Sequence, residues 1–90
     1  MEALYHQTNR TIHDIHNGLA RMEAASGDVV HIEQEVQALI DQVVSNCERL
    51  EILVNKEVAS RRNQAKFRLN RLQYDCQHLQ AALRQVQHKR

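Results

Sequence analysis

Proline is absent from this 90-residue chain, and glycine and aromatic residues are scarce. The sequence holds two glycines and three aromatic residues, whereas residues that favour helices, such as Leu, Ala, Glu, Gln and Arg, are abundant. A chain of this size buries only about 60 to 65% of the surface that its unfolded form exposes, so its core must be well ordered. The composition therefore predicts one small all-α domain.

The chain also lacks a long apolar run and the pattern of a secretory signal peptide. It begins MEALYHQ, with an acid near the start, and its longest run of large aliphatic residues is ILV at 52–54. A helix that spans a bilayer needs about 20 apolar residues. We therefore expect contact with a membrane only through sequence beyond Arg90 or through a partner.

Cysteine is scarce as well. Cys47 and Cys76 could pair in principle, but a secreted scaffold of this size normally carries more cysteines. We interpret both as reduced side chains that pack as small hydrophobic residues in a cytosolic protein.

Charge is nearly balanced overall but unevenly distributed. Residues 1–60 hold four Lys/Arg and ten Asp/Glu, a net charge of −6, whereas residues 61–90 hold eight and one, a net charge of +7. Inside a small bundle, the acidic part offsets much of the field of the basic part. No nucleic-acid-binding motif accompanies the basic segment, so we expect no nucleic-acid partner.

Apolar residues recur at alternating steps of three and four in three segments, which is the period of an amphipathic α-helix. We predict helix A over about residues 2–24, helix B over about 29–54 and helix C over about 61–88. The main apolar faces comprise Tyr5, Thr8, Ile12, Ile15, Leu19 and Met22 in helix A; Val29, Ile32, Val36, Leu39, Val43, Leu50 and Leu53 in helix B; and Ala65, Leu69, Leu72, Cys76, Leu79, Leu83 and Val86 in helix C.

Two short breaks separate the predicted helices. At the first, we expect Gly27 to end helix A in a left-handed conformation and Asp28 to cap helix B. The second break contains no glycine or proline, and there we expect Asn55 to end helix B and Ser60 to cap helix C. Short connections between such segments predict an antiparallel up-down-up three-helix bundle. One long coiled coil is the alternative, and the break at Gly27 argues against it.

Two of the three aromatic residues fall outside the predicted core. Phe67 and Tyr74 are seven residues apart and take the heptad position opposite the apolar seam of helix C, with Arg71 and His78 beside them. The strip Phe67, Arg71, Tyr74 and His78 is therefore our candidate contact face for another helix. The alternative is that Tyr74 lies along the surface with its hydroxyl in water, and that the connection between helices B and C covers Phe67.

A basic cluster surrounds the start of helix C, and its members are Lys56, Arg61, Arg62, Lys66 and Arg68. Cations in the first turn of a helix oppose its dipole, and such departures from a local rule sometimes mark function. The cluster is a candidate contact patch for anionic lipid headgroups or an acidic partner. The alternative is an ordinary solvated face whose charge is balanced by helices A and B.

Six histidines invite a metal-site hypothesis, and His13 and His16 share one helical face. A zinc site needs three or four converging ligands, and neither a cysteine pair nor an HExxH motif accompanies these two. The carboxylates lie among polar neighbours, without a glycine-rich phosphate loop or a nucleophile beside an oriented base. We therefore expect no catalytic residue, no metal and no cofactor.

Three stretches of the chain resemble a known family. The opening MEALYHQTN, ERLEIL at 48–53 and RLQYDCQHLQAALRQVQHKR at 71–90 are similar to the membrin family of Qb-SNAREs, and the likeness runs over all ninety residues. The pattern YDxQHLQxAL is quite specific to it.

This resemblance implies that residues 1–90 form an N-terminal regulatory domain, a three-helix bundle of the Habc type, and that the SNARE motif and the membrane anchor lie outside this chain. It implies a role in vesicle fusion and transport between the endoplasmic reticulum and the Golgi, on the cytosolic face of cis-Golgi and intermediate membranes. The implied partners are a Golgi syntaxin, a Qc-SNARE and an R-SNARE, which bind through the full-length protein, and a tether, coat or adaptor protein.

Other hypotheses make different predictions. We expect the chain to be monomeric, whereas a structural helical spacer or a self-associating coiled-coil module would give a dimer whose melting temperature rises with concentration. A metal-sensing function would make zinc raise the melting temperature through His13 and His16, and we expect no such effect.

Overall fold

The computed structural model describes residues 2–24, 27 and 29–88, which form three α-helices and no strand. Helix α1 is Glu2–Ala24, α2 is Val30–Asn55 and α3 is Ala59–His88. The predicted all-α three-helix bundle is confirmed, because all three helices share one apolar core.

The helices run up, down and up. Near one end of the bundle, Arg21 Nη1 of α1 lies 3.7 Å from Glu35 Oε2 of α2, and the side-chain amide of Gln87 of α3 donates to the carboxylate of Glu33 of α2. The last turns of α1 and α3 therefore both meet the first turns of α2, so α2 is antiparallel to its two neighbours. The result is a rod of 51 × 19 × 15 Å, not one long coiled coil.

The core is built from one face of each helix. Its buried apolar residues are Ile12, Ile15, Leu19 and Met22 in α1; Val36, Ile40, Val43, Cys47, Leu50 and Val54 in α2; and Ala65, Leu69, Leu72, Cys76, Leu79, Leu83 and Val86 in α3. Every residue predicted for the seam of helix C is thus buried. Burial of a Leu, Ile or Val side chain contributes roughly 1.5 to 3 kcal/mol, far more than a surface ion pair, so the core holds the helices together.

The first break differs in detail from the predicted one. No described glycine has a positive φ, so the left-handed conformation expected at Gly27 is not found. Helix α2 begins at Val30, with Val29 at its N-cap position, and the Val29 carbonyl accepts a hydrogen bond from the Glu33 amide at 2.8 Å. The predicted cap residue, Asp28, lies outside the described residues.

The second break is shorter than the sequence suggested. Helix α2 ends at Asn55, and the Val58 carbonyl accepts hydrogen bonds from the Arg61 and Arg62 amides, each at 3.0 Å. These bonds start α3 at Ala59, two residues before the predicted start. The prediction that Ser60 caps helix C is therefore wrong, because Ser60 already lies within the first turn.

The contact between α1 and α2 depends on a glycine. A Cβ atom added at Gly18 would lie 2.6 Å from Cγ2 of Val36, a distance that real Cβ atoms do not adopt. Two polar side chains of these helices, Thr8 of α1 and Asn46 of α2, also lie in the interior. Both are buried, at 0% and 5% exposure.

The buried polar side chains are unequally satisfied. The Thr8 hydroxyl donates to the Leu4 carbonyl at 2.7 Å, whereas Asn46 Nδ2 is buried without a hydrogen-bond partner among the described residues. An unpaired buried amide costs about 1 to 3 kcal/mol. Asn46 is also the position at which the apolar stripe of helix B is interrupted.

None of the three helices, over the ranges given above, combines the length and the hydropathy of a membrane-spanning segment.

Candidate functional site

The strip Phe67, Arg71, Tyr74 and His78, called the outer strip from here on, is exposed on α3. Phe67 is 73% exposed and Tyr74 is 62% exposed, and the side chains of Arg71 and His78 are exposed as well. Leu72, on the opposite side of the same helix, is only 1% exposed. The connection between α2 and α3 therefore does not cover Phe67, and two aromatic rings stand outside the core.

Two members of the outer strip contact each other. The rings of Tyr74 and His78 are one helical turn apart, with 4.4 Å between their centroids and 57° between their planes. Residues four apart on a helix are surface neighbours, so this contact is a direct result of their spacing. It widens the aromatic surface of the strip at Tyr74.

The outer strip has the spacing of a second seam. Its residues follow one another at steps of four, three and four, the same alternation that places core residues on one side of a helix. Because this seam lies opposite the core, another helix packed along it would not disturb the bundle. This spacing is that of a surface on which a second helix can pack.

The candidate basic patch is only partly available. Lys56, Arg61 and Lys66 are exposed, whereas Arg62 is half-buried and Arg62 Nη2 donates to the Glu57 carbonyl at 3.1 Å. That bond explains in part how a cation is accommodated in the first turn of α3, where there is no acidic residue.

Arg68, the fifth residue of the predicted basic patch, is partly exposed and is bound to other residues of the bundle. Arg68 Nη2 donates to Glu2 Oε2 at 3.0 Å, and Arg68 Nη1 donates to the other carboxylate oxygen. The guanidinium carbon also lies 3.9 Å from the centre of the Tyr5 ring, a cation–π contact. Arg68 therefore fastens the first turns of α1 to α3.

The contact between Arg68 and Glu2 shifts the pKa of both groups. The hydrogen bond from Arg68 lowers the pKa of the Glu2 carboxyl below its usual value of 4.5, and the hydrogen bond to Glu2 raises the pKa of the Arg68 guanidinium. Sequence reasoning missed this cluster, although Glu2 begins α1 and Arg68 borders the predicted seam. A pairing of residues 66 positions apart leaves no mark in local periodicity.

The cysteines are buried structural side chains. Cys47 and Cys76 are free, and both line a groove between α2 and α3. Burial raises the pKa of the Cys47 thiol to about 11, with a further contribution from the nearby Cys76, and burial also raises the pKa of Cys76. Both thiols are therefore protonated at neutral pH, which makes them poor nucleophiles and metal ligands.

The other groups considered for chemistry are dispersed. His13 and His16 are exposed on α1, and no cluster of three or more potential metal ligands exists within residues 2–24 and 29–88. The carboxylates of Asp14, Asp41 and Glu48 are likewise exposed.

Comparison with known proteins gives one family. The model for the BOS1/GOSR2/MEM11 N-terminal domain matches residues 1–90. Golgi SNAP receptor complex member 2 of Mus musculus is 50% identical over 91 aligned residues, which cover 100% of this chain and 43% of the mouse protein.

More distant relatives show the same coverage. A protein of Drosophila melanogaster described as probable Golgi SNAP receptor complex member 2 is 37% identical over 100% of this chain and 42% of its own length. The memb-1 homolog of Golgi SNAP receptor complex member 2 in Caenorhabditis elegans is 29% identical over 96% of this chain and 41% of its own length. The chain thus spans about two fifths of the length of these relatives. No solved structure matches it.

Proposed function

Because the chain belongs to the BOS1/GOSR2/MEM11 N-terminal domain family, we propose that it is the N-terminal regulatory and docking domain of a Qb-SNARE that acts in vesicle fusion and transport between the endoplasmic reticulum and the Golgi. The names of the relatives support a Golgi SNARE. On this proposal the domain faces the cytosol on cis-Golgi and intermediate membranes.

The observation that carries the docking role is the exposure of the outer strip. Phe67 and Tyr74 are large rings on the solvent side of α3, although the bundle already has a complete core without them. Aromatic side chains supply much of the binding energy in protein interfaces. The surface is therefore available for a contact that does not compete with folding.

On this proposal, the domain works by binding other protein segments and not by catalysis. It regulates SNARE assembly by transient fold-back, or it recruits a tether, coat or adaptor protein through the outer strip. Its other partners, a Golgi syntaxin, a Qc-SNARE and an R-SNARE, bind through the SNARE motif of the full-length protein. The exposed cations Lys56, Arg61 and Lys66 precede Phe67 in the chain and form a second candidate contact on this proposal.

The decisive experiment replaces Phe67 and Tyr74 by Ser in the full-length protein and measures transport from the endoplasmic reticulum to the Golgi in permeabilised cells. We expect slower transport although the variant folds normally. Ile52→Ser is the matched control, because Ile52 is an apolar residue of α2 that is 57% exposed. Normal transport with the double variant would refute a docking role for the outer strip.

A structural module that associates with itself is the competing function. Its exposed rings would then pair between copies, and sedimentation equilibrium would show a dimer. We expect a monomer whose melting temperature does not depend on concentration, because each helix already buries its apolar face within one chain.

A further inference from the structure

The outer strip extends as a straight seam along much of α3. The same alternation of steps that joins Phe67, Arg71, Tyr74 and His78 continues through the exposed residues 81 and 85, an alanine and a glutamine. A seam of this kind keeps its residues facing one side, which is what a second helix requires for side-by-side packing. The rings of Phe67 and Tyr74, seven residues apart, stand about 10.5 Å apart along the helix axis at 1.5 Å per residue.

The exposed charge of α3 as a whole is mainly positive, and Arg71 is the arginine that lies on the outer strip itself. Exposed cations lie along α3 at Arg61, Lys66, Arg71 and Arg84, whereas the one acid in the described part of α3, Asp75, is half-buried. The remaining acids of the chain belong to residues 1–60. The surface of α3 thus complements a negatively charged occupant, and charge complementarity selects partners and steers their approach.

We propose that the outer strip binds an acidic amphipathic helix of another protein. Apolar side chains seven residues apart on that helix cover Phe67 and Tyr74, and a carboxylate between them pairs with Arg71. This inference rests on the proposed docking function and names the chemistry of its partner.

A membrane surface fits these observations less well than a helix does. A helix that lies in a membrane interface presents a broad apolar face, whereas here exposed amides of Asn63, Asn70 and Gln77 flank the two rings. Such amides hydrogen-bond well across a protein interface, but they gain nothing from acyl chains.

The occupant can be identified by cross-linking in the full-length protein. Tyr74 is replaced by a photo-reactive phenylalanine analogue, the protein is irradiated on Golgi membranes, and the cross-linked peptide is sequenced. We expect a helical segment with Asp or Glu three or four residues from its apolar positions. The same analogue at Ile52, on α2, provides the matched control and should not capture that segment.

A charge exchange then tests the pairing. A synthetic peptide of the captured segment should bind the full-length protein, and Arg71→Glu should weaken that binding by about tenfold. Replacement of the facing acid of the peptide by Lys should restore much of the affinity for the Arg71→Glu variant. Equal affinity of the peptide for the original and the Arg71→Glu protein would overturn the proposal.

Two further results would overturn the proposal of an acidic helical partner but leave the proposed function of the domain intact. One is a photo-adduct formed with lipid alone, and the other is a captured segment without carboxylates; in both cases transport would still depend on Phe67 and Tyr74. If transport is normal when both rings are replaced, the proposed function itself fails. Vesicles of phosphatidylserine and phosphatidylcholine in roughly equal parts serve as the membrane probe, and binding to them that needs Tyr74 would assign the strip to lipid.

Discussion

Gly18 of α1 faces Val36 of α2 so closely that a Cβ atom on Gly18 would stand 2.6 Å from Val36 Cγ2. Gly18→Ala gains roughly 1 kcal/mol in helix propensity, but the added methyl overpacks a contact, which typically costs about 1 to 3 kcal/mol. Val36 is fully buried and stiff at its branched Cβ, so the cost should prevail. We expect Gly18→Ala to lower the free energy of unfolding by about 1 kcal/mol in urea titrations.

Two variants complete that test. Gly27→Ala should leave stability nearly unchanged, because nothing lies within 4 Å of an added Cβ there. In the Val36→Ala background, Gly18→Ala should stabilise the protein, since the clashing methyl is gone. A stabilising effect of Gly18→Ala alone would contradict the close approach of the two helices.

Asn46→Leu should stabilise the bundle. The buried Nδ2 of Asn46 has no hydrogen-bond partner in the described part of the chain, and an apolar side chain of similar size removes that cost. We expect the free energy of unfolding to rise by about 1 to 2 kcal/mol, measured by chemical denaturation. A loss of stability would mean that the Asn46 amide makes a favourable contact.

Glu2 should make the stability of the protein depend on pH in the acid range. The pKa of Glu2 is lowered in the folded state by Arg68, so the stabilisation is present above its unfolded pKa and is lost as pH falls through the lower folded value. Urea titrations across the window below about pH 4.5 should show a flatter pH profile for Glu2→Gln. Glu51→Gln, at an exposed carboxylate of α2, is the control and should keep the original profile.

The two thiols should react only when the bundle opens. Because burial raises the pKa of Cys47 to about 11, little thiolate exists at neutral pH, and Cys76 is buried as well. A colorimetric disulfide reagent should modify both cysteines slowly in buffer and rapidly in guanidinium chloride. Fast modification of the folded protein would show that the groove between α2 and α3 opens readily.

The outer strip should contribute little to stability. Phe67→Ser with Tyr74→Ser should leave helicity unchanged and alter the free energy of unfolding by no more than about 1 kcal/mol, the range of two surface changes. Leu72→Ala, on the buried side of the same helix, should cost about 2 to 5 kcal/mol. Circular dichroism melting curves separate these outcomes, and a large loss in the double variant would place the two rings in the core.

The helices and their buried faces follow from local sequence periodicity. Leu72 and Tyr74 are two residues apart in the chain, which places them about 200° apart around the helix. That angle alone predicts that Leu72 lies in the core and Tyr74 on the surface. Such assignments succeed because the apolar face must be continuous for a short chain to fold. The exposure of Phe67 follows from the same spacing.

Helix ends and contacts between residues far apart in the chain cannot be predicted from local periodicity in this way. Ser60 is a favourable cap residue by type, but the Val58 carbonyl takes the first hydrogen bonds of α3 because the connection is only three residues long. Arg68 belongs by sequence to the basic cluster, and its hydrogen bond to Glu2 across the bundle leaves no local signal in the sequence. Neither the start of α3 nor the partner of Arg68 can be predicted from local periodicity.

The parallel arrangement of α1 and α3 separates the start of α1 from the end of α3. Glu2 and His88 lie at opposite ends of a rod 51 Å long, and Phe67 lies about 30 Å from His88 along α3 at 1.5 Å per residue. A molecule held at Phe67 therefore binds nearer to the end of the bundle where α1 begins than to the end where α3 finishes. Removing whole turns from the last part of α3 would shorten this distance, but it would also remove core residues such as Leu83 and Val86.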